Sequence, residues 1–201
     1  MKLNNCQEHV LSQVKGKTLD IGCGKCKMLI EGYKRKLDME GCDSSTTQIK
    51  YGFLKSKEEK TTIVTHFGDI YSLPFKTETY NTILMMEILE HLPDPVDAIK
   101  RVLPLLKKGG KLIITTPCGF AHYDPGHVSF FFMNKDLDRL NKLWAFDMLP
   151  IVIRNCIKGI SMEKMCSNLL NEGIVSDVII DEREWKDSEH KSLDFLITMT
   201  K

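Results

Sequence analysis

Asp20, Gly22, Cys23, Gly24 and Cys26 fall within one stretch, TLDIGCGKCK, from Thr18 to Lys27. Two glycines after an apolar run suit a tight turn where a ligand can approach the backbone. A strand, such a turn and a helix make a nucleotide-binding corner in open α/β sheets. Cys23 and Cys26 offer a different chemistry, as a CxxC redox or metal pair. No second cysteine pair stands at zinc-like spacing, which leaves a zinc site without support. A redox role would draw on a thiolate at Cys26 if that residue opens a helix. Two histidines elsewhere suit acid–base work near neutral pH. They are His91 in LEHL and His127 in FAHYDPGHVSFF, the latter clustered with His122, Tyr123 and Asp124.

Asp20 decides between ligands for the glycine corner. A dinucleotide brings a pyrophosphate there, and a carboxylate just before the turn repels it. S-adenosylmethionine carries a sulfonium and an ammonium and no phosphate, so negative charge at the corner favours it. Lys27 also leaves the GxGxxG dinucleotide fingerprint incomplete.

The elements that must position these groups alternate between strand-like and helix-like segments, which implies βαβ units and a parallel sheet. Thr18–Gly22 reads as the first strand and Cys26–Lys36 as a helix weakened by Gly32. A second strand ends near Gly41–Asp43. Ser45 and Gln48 form a capping box for the next helix. Thr62–Phe67 and Tyr80–Met86 read as the third and fourth strands. Asp94 caps a helix opened by Pro95, with Val96, Ile99, Val102, Leu103 and Leu106 on its apolar face. Pro104 is expected to loosen the last turn, Gly109–Gly110 to end the helix, and Lys111–Thr116 to follow as a strand. Asn134 is placed as the cap of a helix carrying Leu137, Leu140 and Leu143. Phe146–Ile153 and Ser192–Thr200 read as the last two strands. Between them, residues 154–191 read as an insertion or cap holding a helix at Met162–Asn171, a strand at Val175–Ile180 and a solvated loop at Asp181–Lys191.

A chain of 201 residues suits a single domain with a substantial core. Its net charge of +1 argues against a large nucleic-acid footprint. The polar start MKLNNCQEHV lacks the apolar region of a secretory signal, and no apolar run is long enough for a bilayer. Seven scattered cysteines do not suggest a disulfide framework, so a reduced, cytoplasmic protein is expected. Composition gives no handle on oligomeric state.

With these motifs in order, nearly the whole chain resembles the class I S-adenosylmethionine-dependent methyltransferases, in the small-molecule branch of the type 11 and 12 kind. LDIGCGKC resembles their first motif, which usually has a further glycine where Cys26 stands. The resemblance implies a Rossmann-like seven-stranded, mostly parallel sheet with helices on both faces and a C-terminal antiparallel strand. It implies that Asp20, Gly22, Cys23 and Gly24 form the cofactor loop. EGCDSS places Asp43, with Ser44, where the family's acidic residue holds the ribose hydroxyls, and its spacing 19 residues after Gly24 agrees. Helix capping is the competing role for Asp43. FGDIYSLPF resembles the motif in which Asp69 takes the adenine amino group and Ile70 lies against the ring; an Asx-turn is the competing role for Asp69. YNTILMMEILEHLPDP resembles the fourth strand and its exit, with Met86 and Glu87 near the methionine moiety and acceptor. Met85 or Met86 also suits plain core.

The resemblance implies methyl transfer to an oxygen, nitrogen or carbon nucleophile of a small molecule, with His91 and His127 as candidate bases. A structural histidine is the competing role for His91. His127 beside Phe130 and Phe131 also suits a closing loop. Glu87, Glu90, His91 and His127 resemble the ligand set of the Hen-type, metal-dependent small-RNA 2′-O-methyltransferases. EHLPDP also occurs in small-molecule methyltransferases without metal, and Glu90 reads equally as a surface residue, so no metal is assigned. A non-catalytic S-adenosylmethionine-binding regulatory subunit is the remaining alternative, kept open by Cys26.

Overall fold

The computed structural model describes residues 2–119, 126–138, 158–186 and 191–201. His122, Tyr123, Asp124, Leu140, Leu143 and the strand expected at Phe146–Ile153 lie outside them. Seven strands form one sheet in the order β3-β2-β1-β4-β5-β9-β8. These are β1 (Thr18–Ile21), β2 (Met39–Asp43), β3 (Val64–Phe67), β4 (Tyr80–Met86), β5 (Leu106–Pro117), β8 (Asp177–Lys186) and β9 (Lys191–Thr200). β1 to β5 run parallel, and β9 lies antiparallel to both β5 and β8. The α/β fold with an antiparallel C-terminal strand is therefore as the sequence implies.

Successive side chains of a strand face opposite sides of a sheet, which explains the two main cores. On β4, Ile83 and Met85 join Ile99 and Val102 of helix α4 (Pro95–Val102) on one side. Leu84 points the other way, among Val10 and Leu11 of α1 (Asn5–Gln13) and Met28 of α2 (Lys27–Lys34). Each fully buried aliphatic side chain contributes about 1.5–3 kcal/mol relative to exposure. Helices thus cover both faces, with α3 (Thr46–Glu58) beside β2 and β3 and α5 (Met162–Asn171) in the first core.

Several segments differ from their sequence reading. Helix α1 is an addition, and its signal was present: Asn4 and Gln7 form a reciprocal capping box. Cys26 precedes α2 rather than belonging to it. Helix α4 stops at Val102, and Pro104 sits in a 3-10 turn, Leu103–Leu105, because its ring cannot continue the helix. Asn134 lies within a helical stretch, 134–138, rather than capping one. Residues 181–186, expected as a solvated loop, extend β8 instead. Their charges suit this edge strand because they oppose pairing with another chain. Val178 and Ile180 pack on one core while Trp185, on the opposite parity, packs on the other. Finally, Ser129–Phe132 (β6) and Lys158–Ser161 (β7) form a separate parallel pair. Phe130 and Phe131 are buried strand residues, not parts of a closing loop.

Candidate functional site

Strand β1 lies between β2 and β4, so the carboxyl ends of β1 and β4 meet where the winding of the sheet reverses. The chain leaves β1 in a turn pinned to β2, with the Gly22 and Cys23 N–H groups donating to the Cys42 carbonyl at 2.8 and 3.1 Å. Gly22 needs its missing side chain: its φ is +72°, and a Cβ would stand 2.6 Å from the Ile88 side chain. Gly24, at φ +50°, donates its N–H to Asp43 Oδ2 at 2.7 Å. Asp43 Oδ1 accepts from Ser45 N–H at 2.8 Å. Capping of α3 falls to Ser45, whose side chain accepts from Gln48 N–H. Asp43 is thereby held in place as an acceptor whose two oxygens retain further lone pairs.

Two clefts flank Gly22. The larger, about 930 Å³, is lined by Gly22, Gly24, Asp43, Ser44, Asp69, Ile70, Glu87 and His91 among others. The smaller, about 250 Å³, is lined by Asp20, Gly22, Cys23 and Met86, with Gln7 of α1 and Lys25. All ten expected cofactor residues therefore line one cleft or the other. Met85 is core. Asp69 Oδ1 accepts from Tyr71 N–H at 2.8 Å, the Asx-turn that competed with its adenine role, so that oxygen already has a partner. Tyr71, Gln48 and Gln7 are lining residues that sequence reasoning missed. The DIYS run and the N-terminal capping box were their available signals.

Burial shapes the electrostatics. Asp20 is buried, and desolvation with the nearby Asp43 charge pushes its carboxyl up to about 7. At neutral pH it is therefore divided between charged and protonated forms, a weaker repellent of phosphate than its sequence position suggests. Glu87 has the left-handed φ of +52° at the end of β4. Glu87 is exposed at the large cleft, and partial desolvation by the surrounding protein, then the charges of Glu90 and Asp194, raises its pKa. Glu90 is buried, not a surface residue, and accepts from the Thr116 hydroxyl at 3.0 Å. Desolvation raises its pKa as well.

The two candidate bases come together through backbone stitching. The Val128 N–H donates to the Glu90 carbonyl at 2.8 Å, and the Ser129 hydroxyl to the Leu92 carbonyl at 3.0 Å. His91 Nδ1 lies 3.1 Å from the Gly126 carbonyl, so that nitrogen carries the proton. These contacts set the His127 ring edge-on to His91, centroids 4.8 Å apart. His91 lines the large cleft, and His127 is not among its lining residues.

The CxxC cysteines lie within the protein rather than at its surface. Both thiols are free and buried, with the sulfurs 3.9 Å apart. The hydrogen bond to Cys26, followed by burial, drives the Cys23 thiol above its ordinary range and away from the reactive thiolate. Cys26 adopts φ +59°, the left-handed geometry that explains a preference for glycine there. Its sulfur lies where a Cβ on Gly52 of α3 would approach within 2.4 Å, so it packs toward α3 and lines neither cleft.

A family model described as a methyltransferase domain matches residues 7–166. The ubiquinone biosynthesis O-methyltransferase of Coxiella burnetii is 34% identical over 104 residues, 51% of this chain and 44% of that protein. Its counterpart in Acinetobacter baylyi is 28% identical over 119 residues, 58% and 50% of the two chains. The chain thus spans about half the length of the curated relatives it matches. Among solved structures, a SAM-dependent methyltransferase from Methanosarcina mazei superposes with a TM-score of 0.65 at 21% identity, covering 100% of this chain and 99% of that one. Magnesium protoporphyrin IX methyltransferase from Synechocystis, with bound SAH, gives 0.63 at 15% identity, covering 98% and 82%. At these identities the structural likeness establishes the fold. Among the described residues, no helix is long and apolar enough to cross a membrane.

Proposed function

The chain belongs to the methyltransferase-domain family, and from that premise we propose that it moves a methyl group from S-adenosylmethionine to an oxygen, nitrogen or carbon nucleophile of a small molecule. One feature carries this reading: the Gly24–Asp43 hydrogen bond at the head of a cleft that also receives Asp69 and Ile70. A carboxylate fixed by two backbone N–H groups is a preorganised acceptor for a ribose diol. Asp69 and Ile70 supply an acceptor for an adenine amino group and an apolar face for its ring. Across Gly22, the smaller cleft takes the amino-acid end: Asp20 faces the ammonium, and the Gln7 amide on the same cleft wall suits the carboxylate.

S-adenosylmethionine supplies a methyl group already activated on a sulfonium. The chain's remaining work is alignment and exclusion of water. Glu87, at the end of β4, and His91, on the cleft wall, are the groups placed to hold or take a proton from the acceptor. His127 positions His91 rather than touching the acceptor. One domain carries both clefts. We place the enzyme in the cytoplasm, without a nucleic-acid or membrane partner. The Hen-type RNA substrate finds no support in the balanced charge. The regulatory alternative rested on Cys26, which packs away from both clefts.

Calorimetry with S-adenosylmethionine and S-adenosylhomocysteine tests the reading. Saturable binding that Asp43→Ala weakens is expected; no binding of either compound to the native chain overturns it.

A further inference from the structure

Beyond the assignments above, we propose that His9 and Arg183 form the positioning contact that holds helix α1 in register, so that Gln7 presents its amide N–H groups to the smaller cleft. This role rests on the cofactor reading of that cleft and adds the residues that set its Gln7 wall.

The helix needs such a contact. It has nine residues, too few to be stable alone in water. Cys6, Val10 and Leu11 anchor it on the sheet beside Leu84, Ile113 and Leu196. Apolar burial is non-directional, so it seats the helix without fixing its rotation. Polar contacts on the two flanks do that. Toward α2, Arg35 Nη2 donates to both Glu8 carboxylate oxygens at 2.8 and 2.7 Å, but this pair is exposed, with side chains 39% and 46% accessible, and contributes little. Toward β8, Arg183 Nη1 lies 3.0 Å from His9 Nε2. A guanidinium only donates, so His9 accepts on Nε2 and carries its proton on Nδ1. Burial, then the Arg183 charge, lowers the His9 pKa against the opposing Asp181 charge, which keeps the ring neutral as that bond requires.

Arg183 is itself held. Its Nε donates to the Asp181 carboxylate, and its guanidinium lies 5.6 Å over the Trp185 ring. The His9 ring stands 5.5 Å from the same indole. This anchor belongs to a strand paired along its length with β9. Gln7 and His9 lie about 200° apart around the helix axis, so a rotation that broke the His9 contact would displace Gln7 on the opposite flank. The N-terminal capping box sets the polarity of Gln7: its Oε1 accepts the Asn4 N–H at 3.1 Å. With that oxygen engaged, Nε2 is left as the donor, which is what a carboxylate ligand requires.

The test measures S-adenosylhomocysteine affinity by calorimetry, and hydrogen exchange across residues 5–13 in the ligand-free chain. His9→Ala and Arg183→Ala should each weaken binding about tenfold and speed exchange in α1. His9→Gln places an acceptor oxygen near the Nε2 position and should restore affinity to within about twofold of native. Because the contact acts through Gln7, His9→Ala should add no further loss of affinity in a Gln7→Ala background, while still speeding exchange. Circular dichroism reports folding, and His9→Ser replaces His9→Ala where that variant misfolds. Native affinity in folded His9→Ala and Arg183→Ala, or an equal further loss in the Gln7→Ala background, overturns this role alone. Absence of S-adenosylhomocysteine binding to the native chain overturns the cofactor reading and this role with it.

Discussion

The Asp43 carboxylate, at the end of β2, accepts the Gly24 N–H at 2.7 Å and so couples the glycine turn to the neighbouring strand. The same carboxylate holds Ser45 N–H at 2.8 Å, at the entry to α3. Asp43→Ala removes both bonds and the acceptor assigned to the ribose. Charge-assisted hydrogen bonds contribute about 1.5–3 kcal/mol each, so calorimetry should show S-adenosylmethionine affinity reduced roughly ten- to a hundredfold. Asp43→Asn keeps one carbonyl oxygen and should fall between the two. Equal affinity in all three proteins would remove Asp43 from the site.

Asp20 makes stability depend on pH. Its carboxyl is raised from 3.8 to about 7 by burial and by Asp43. The folded state therefore keeps a proton that the unfolded chain releases near pH 4. That contribution is full below the unfolded value and is lost as pH rises through about 7. Thermal melts should show Asp20→Asn gaining on the native protein between pH 5 and pH 8, by up to about 1.4 kcal/mol for each unit of the shift. A bound ammonium beside Asp20 would also expel its proton. Ligand binding near pH 6 should then release protons, seen as a heat that varies with buffer, and the release should vanish in Asp20→Asn.

What the sequence disclosed follows from how local each feature is. The glycine turn, the Asp43 position and the α4 cap each depend on residues a few places apart, and all three stand as read. The burial of Glu90 and the approach of His127 depend on contacts across the β4 and β5 exits, which no spacing reveals. The charged run of β8 misled for a different reason. Charge signals solvent, and an edge strand has a solvated side while still pairing along the other. Cys26 was legible as an anomaly, but the direction of its side chain depends on Gly52 in another helix.

The β8 assignment predicts hydrogen-exchange behaviour. Asp181, Arg183 and Trp185 pair with Leu196, Asp194 and Ser192 of β9. Segments covering 181–185 should exchange more slowly than a solvated loop at the amides bonded to β9, while the alternate, outward-facing amides stay less protected than β9, which is paired on both sides. Trp185→Ala removes an indole that packs on the α1 side of the sheet, with its ring 5.5 Å from His9. That variant should lose protection in both α1 and β8. Rapid exchange across 181–185 in the native protein would return the segment to a loop.

Cys26 and Gly52 should be energetically coupled. A Cβ on Gly52 would stand 2.4 Å from Cys26 Sγ, 2.7 Å from its Cβ and 3.0 Å from the Lys25 carbonyl carbon. Gly52→Ala alone should therefore cost about 1–3 kcal/mol as an overpacked contact. Cys26→Gly relieves a left-handed residue worth about 1–2 kcal/mol of strain but gives up the contacts of a buried sulfur, so its net effect on stability should be small. In the Cys26→Gly background, Gly52→Ala meets only the Lys25 backbone and should cost less. Denaturant unfolding of the four proteins should yield a coupling of about 0.5–3 kcal/mol. Because the thiol lines neither cleft, Cys26→Gly should leave S-adenosylmethionine affinity within about twofold of native, a change under half a kcal/mol. Strict additivity would show that sulfur and helix are not in contact. A large gain in affinity would show that Cys26 does intrude on the ligand, as the family's preference for glycine first suggests.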